Sequence, residues 1–96
     1  MSIVNGMAHV ALSVSNFEDS KNFYKELLPF LGLKLVYDGE NSVYHVGART
    51  ALLIQKCDQK FSGKKFIQGT IGLHHLCFRA RTKRDVNLVA KRLFNM

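Results

Sequence analysis

The stretch His9-Val10-Ala11-Leu12-Ser13-Val14 decides the reading of this chain, because it returns 66 positions later as His75-Leu76-Cys77-Phe78-Arg79-Ala80. The two copies align without a gap. Beyond the strand-like opening the match continues, with Asp19 over Asp85, Lys25 over Lys91 and Leu27 over Leu93. Apolar positions stay apolar throughout. A repeated strand–helix unit with a histidine at the head of each copy predicts two imidazoles brought together by pseudo-symmetry. The second copy is expected to be shortened, since its helix should end about where Met96 stands.

Residues 7–14 alternate, with Val10, Leu12 and Val14 on one side and His9, Ala11 and Ser13 on the other. That is the period of a strand. Ser15-x-x-Glu18 reads as a capping box that opens an amphipathic helix. Along it, Phe17, Phe23, Tyr24, Leu27, Leu28 and Leu31 keep to one stripe. Pro29 weakens the last turn and Gly32 is the expected C-terminal cap. Three strands are predicted next, at 33–38, 42–46 and 50–56, joined by turns at Asp38-Gly39-Glu40-Asn41 and Gly47-Ala48-Arg49. The first module is therefore βαβββ. Residues 57–70 read as a flexible connection, held to the surface by Phe61 and Phe66. A second strand from Leu73 and a helix from about Lys83 to Phe94 make a partial second module over 71–96. The fold class is α+β, in a single domain over 1–96.

At 96 residues and 47% hydrophobic, the chain can bury one core and not two. No run approaches the roughly 18 apolar residues of a membrane span, and the first residues lack the pattern of a secretory signal. Cys57 and Cys77 show neither metal-type spacing nor disulfide density, so reduced thiols and a cytoplasmic location are expected. Charge is uneven. Residues 1–55 hold four basic and five acidic side chains, for −1, whereas residues 56–96 hold ten and two, for +8. A basic half can meet an anionic partner, but no nucleic-acid recognition motif accompanies it, so nucleic acid is not expected as a partner.

Taken in order, these stretches resemble the vicinal oxygen chelate superfamily of glyoxalase I, bleomycin-resistance proteins and extradiol dioxygenases. The residues that carry the resemblance are His9 to Val14, Phe23-Tyr24-x-x-Leu27-Leu28 and Leu31-Gly32-Leu33. Leu52-Leu53-Ile54-Gln55 and Gly72-Leu73-His74-His75-Leu76-Cys77-Phe78 complete it. The resemblance implies tandem βαβββ modules curled around a shared cavity with a divalent metal (Zn, Ni, Fe, Mn or Co). It matches His9 to the first ligand, Gln55 to the second and His75 to the third. The fourth, a glutamate on the last strand of a complete second module, has no counterpart in this sequence.

Imidazole suits these metals, and a strand fixes where it points. His9 and His75 are thus candidate ligands, with a hydrogen-bonded, metal-free histidine pair as the other reading. Gln55 either coordinates through its amide oxygen or lines the pocket; as an amide it cannot serve as a general base. Ser13, Cys77 and Arg79 share faces with the two histidines and are candidate pocket residues. His74 is expected on the opposite face from His75, and the facing of His45 is left open. Arg81, Lys83 and Arg84 read as a solvated basic helix start. The resemblance to glyoxalase I itself fails at Ser13, where that enzyme has a glutathione-gripping arginine. It fails again at Gln59, where that enzyme has an asparagine.

The expected function is a glyoxalase-like metalloprotein using its metal as Lewis acid on a small oxygenated substrate, as an isomerase, lyase or ring-opening dioxygenase. A metal-free binding protein of the bleomycin-resistance type, or an inactive truncated form, is the alternative. A homodimer or domain swap is expected, because the second strand–helix unit has no sheet of its own.

Overall fold

Strands β1 (Val10–Val14), β2 (Lys34–Asp38), β3 (Ser42–Gly47) and β4 (Thr50–Lys56) form one sheet, with helix α1 (Phe17–Leu31) between β1 and β2. A single 3-10 turn, Gln59–Phe61, and helix α2 (Lys83–Phe94) follow. This is a computed structural model and it describes residues 2–96. The chain divides into two compact units, Met1–Lys64 and Lys65–Met96.

In the first unit the strand order is β1-β4-β3-β2. The helical crossover carries the chain to the far edge, and two reversals then return β4 beside β1 and parallel to it. This is the complete βαβββ module that the residue pattern predicts. Phe17, Leu28, Leu33, Val43, Leu52 and Ile54 form the core between α1 and the sheet, with Val10, Leu12 and Val14 packed against it. The alternate residues of each strand face the other way, onto a side that α1 does not cover.

Helix α1 starts one residue later than the expected box. Asn16 is the cap: its Oδ1 accepts from the Asp19 N–H at 3.1 Å, and its Nδ2 donates to Asp19 Oδ2 at 2.8 Å. The signal was of the right kind but shifted, because Asn and Asp serve this geometry as well as Ser and Glu. The same device opens α2, where Thr82 Oγ1 accepts from the Asp85 N–H at 3.1 Å. Asn16 and Asp19 lie over Thr82 and Asp85 at the repeat spacing, so the duplication extends to the caps. At the other end of α1, Gly32 takes φ +99° and Leu33 N–H reaches back to the Leu28 carbonyl at 2.9 Å. This is a left-handed cap that a glycine adopts without strain.

Gly47 is required for a different reason. A Cβ there would lie 2.2 Å from the Gly32 carbonyl oxygen and 2.9 Å from Leu33 Cα. The β3–β4 hairpin turns on Ala48 (φ 52°) and Arg49 (φ 63°), with Gly47 and Thr50 as the closing pair. Two successive left-handed residues make a type I′ turn, a place where Asn-Gly is preferred. On the helix side of the sheet, Asp38 pairs with Lys21 at 2.7 Å and Lys25 at 2.6 Å, tying β2 to α1. The Lys21 and Lys25 hydrogen bonds hold the Asp38 carboxyl below the usual carboxylate range.

The second unit corrects one expectation. Residues 73–80 form no strand, although their alternation reads as one. A strand exists only when its backbone groups find a ladder partner, and among the described residues none pairs with this segment. Helix α2 forms where predicted. Its Val86, Leu88, Leu93 and Phe94 are exposed, as is Phe66, which does not pin the connection as expected. Among the described residues no helix is long and apolar enough to cross a membrane.

Candidate functional site

The uncovered side of the first unit's sheet is organised in rungs that follow from its register. Ser13 on β1, Gln55 on β4 and Ser42 on β3 stand side by side in one rung. The next rung on that side holds Ala11, Leu53, Tyr44 and Tyr37. The one beyond it holds Ala51, Val46 and Lys34. His9 precedes Val10, whose partner is Leu52. One step back along both strands therefore sets His9 next to Ala51.

This register separates two of the expected ligands. Gln55 lies four residues along β4 from Ala51, which is roughly 13 Å at strand rise. Its amide is also directed sideways: Gln55 Nε2 donates to Ser13 Oγ at 3.1 Å. Donor atoms sharing one divalent ion stand within about 4 Å of one another, given bond lengths near 2.1 Å. The structure brings Gln55 to Ser13 and does not bring it to His9. The residue beside His9, Ala51, has no donor atom. Among the described residues there is no group of three or more His, Cys, Asp and Glu side chains placed to hold a metal. The donors of the first unit do not fit the divalent metal that the resemblance implies.

In the second unit His75 is exposed and outside any ladder, so the strand argument that set His74 on the opposite face does not apply. The two rings instead meet edge to face with centroids 5.0 Å apart, and their Nδ1 atoms are 2.7 Å apart. One nitrogen of that contact must donate and the other accept. Gln68 Nε2 lies 3.3 Å from His74 Nδ1. Cys77 is an exposed free thiol whose Sγ contacts the Phe78 carbonyl at 3.5 Å, and Arg79 is exposed. Gln59 opens the 3-10 turn, beyond the end of β4.

His45 is the residue that the sequence left undecided. It is fully buried on the helix side of β3, between Leu52 of β4 and Leu35 of β2. Neither ring nitrogen has a hydrogen-bond partner. Burial holds its pKa below the ordinary histidine value, the Lys25 ammonium acts in the same direction, and the Asp38 carboxylate opposes both. It sits under α1 and is no part of the uncovered side. Ser42, Tyr44 and Leu53 were missed as site residues. The alternation of Ser42-Val43-Tyr44-His45 would have placed the first two, once Val43 was known to be core.

Comparison with known proteins agrees with this architecture. The family described as the Glyoxalase/Bleomycin resistance protein/Dioxygenase superfamily matches residues 6–94. The uncharacterized protein YqjT of Bacillus subtilis (strain 168) is 29% identical over 87 residues, covering 91% of this chain and 68% of that protein. The crystal structure of a provisionally assigned glyoxalase from Bacillus halodurans superposes with a TM-score of 0.83 at 25% identity, over 93% of this chain and 67% of that one. A lactoylglutathione lyase from Agrobacterium tumefaciens gives a TM-score of 0.67 at 21% identity, over 98% and 72%. At that identity the second likeness speaks for the fold alone.

Proposed function

The chain belongs to the glyoxalase/bleomycin resistance/dioxygenase superfamily, and from that premise we propose that it binds a small molecule on the uncovered side of its first sheet without a metal. This is the resistance-protein manner of using the fold. The observation that carries the reading is the β1–β4 register, which sets Ala51 beside His9 and commits the Gln55 amide to Ser13. A Lewis acid needs converging donors, and this unit offers one imidazole at an edge. What the side does offer is an apolar floor, Ala11, Leu53 and Tyr44, bordered by the polar rung Ser13-Gln55-Ser42. An apolar surface with a few fixed polar groups is the usual make-up of a small-molecule site.

The test is calorimetric titration of chelator-stripped protein with Zn, Ni, Mn and Fe(II), alongside His9→Ala and His75→Ala. No stoichiometric binding that depends on both histidines is expected. One equivalent of metal lost in both variants would refute the reading and restore His9 and His75 as ligands. A homodimer or domain swap accompanies the proposal, because the exposed Val86, Leu88, Leu93 and Phe94 of α2 call for apolar cover. Light scattering after size exclusion checks it, and a monodisperse monomer would count against it.

A further inference from the structure

The rung Ser13-Gln55-Ser42 has a hydrogen-bonding inventory that selects among ligands. A primary amide carries two N–H donors and an acceptor oxygen, and a serine hydroxyl carries one donor and two acceptor positions. The Gln55 Nε2 to Ser13 Oγ bond, at 3.1 Å, uses one donor and one acceptor. It leaves the second Gln55 N–H, the Gln55 Oε1 and the Ser13 O–H. One N–H donor and the acceptor oxygen of the same amide thus stay free, with a hydroxyl next to them. Gln55 is half-buried, and its register with both neighbours fixes where that plane begins.

No strand residue in register with Gln55 is charged. Lys56 follows Gln55 in sequence and so turns to the other side of the strand, where it borders a groove with Glu18 and Glu40. The charged residue that register places on the uncovered side is Lys34, two strands and two rungs from Gln55. Two rungs is roughly 13 Å along the strands, beyond the reach of a direct ion pair. A carboxylate ligand would face the Oε1 lone pairs with no cation on the neighbouring strands close enough to offset them. A carboxamide would meet the same groups reciprocally, giving its N–H to Oε1 and taking the free N–H on its carbonyl.

Resting on the metal-free binding reading above, we infer that the Ser13-Gln55-Ser42 rung selects an uncharged ligand bearing an amide or lactam, its apolar body lying over Leu53 and Tyr44. The matched probes are benzamide and benzoate, which differ in charge and donor capacity but hardly in shape. Each is titrated into the uniformly 15N-labelled full chain near pH 7. The reporters are the Gln55 side-chain NH2 and the backbone amides of Ser13, Tyr44 and Leu53.

Benzamide should move these signals, and benzoate should bind more weakly by a factor of about ten or more, the cost of one unsatisfied polar group. Gln55→Leu and Ser13→Ala should each abolish the preference for benzamide while keeping a dispersed spectrum. If benzoate binds as tightly as benzamide, the inference on ligand charge is overturned and the binding face survives. If neither probe perturbs the reporters, the binding face itself is wrong and the inference falls with it. Retention of the benzamide preference in folded Gln55→Leu would overturn the assignment to this rung.

Discussion

Replacing His45 by Leu should stabilise the first unit, and by more in acid than at neutral pH. The imidazole is fully buried with both nitrogens unpartnered, against apolar neighbours on the adjacent strands. A buried polar group left without a partner costs about 1–3 kcal/mol, and leucine removes that cost while keeping an apolar side chain of similar size. A gain of about 1 kcal/mol corresponds to roughly 4–8 °C in Tm for a domain of this length. The pH term adds to it. Burial lowers the folded-state pKa of His45 below the unfolded value of 6.5. The unfolded chain therefore takes up a proton first as pH falls. Stability from this group is intact above about pH 6.5 and falls below it by up to about 1.4 kcal/mol per pH unit, until the folded state also protonates. Asp38, whose pKa is also lowered, loses its contribution only as pH falls below its ordinary value of 3.8, so the two windows do not coincide. Urea unfolding followed by circular dichroism at pH 8, 6.5 and 5.5 reads both effects. A His45→Leu protein that is less stable at pH 8 and keeps the parental slope between pH 6.5 and 5.5 would refute the reasoning. The ring nitrogens would then be satisfied in the native state.

Gly47→Ala should destabilise by about 1–3 kcal/mol, because its Cβ would lie 2.2 Å from the Gly32 carbonyl oxygen and one backbone must move; an unchanged urea midpoint would contradict this. Changing the hairpin pair Ala48-Arg49 to Asn-Gly should stabilise by about 1 kcal/mol, since both positions are left-handed. A lower thermal midpoint would disprove that turn. Lactoylglutathione lyase activity should be absent with each of Zn, Ni, Mn and Fe(II), because Ser13 offers no cation and Gln55 no base. Turnover within the ordinary range of about 1–1000 per second on the hemithioacetal of methylglyoxal and glutathione would overturn this.

Much of the fold was legible because its determinants are local. The 3.6-residue stripe of α1, its terminal Gly32 and the alternation of the four strands depend on neighbours a few residues apart. So do the paired openings at Asn16 and Thr82, although the sequence reading put the first cap one residue early. The strand expected at 73–80 shows the limit of alternation: a pattern can make a segment fit for a sheet, but a partner edge has to exist. The site was legible to the level of a face and no further. Residues 51, 53 and 55 of β4 all point to the same side, so a period of two cannot tell which of them stands beside His9. That choice is made by hydrogen bonds between β1 and β4, some forty residues apart in sequence, and by the core packing of Leu12 against Ile54 that holds them in step. The sequence by itself determined which side chains share a face. Only the tertiary register decided that Ala51 faces His9 and that Gln55 is held by Ser13, because the rung of a parallel ladder is set by contacts that no local stretch contains.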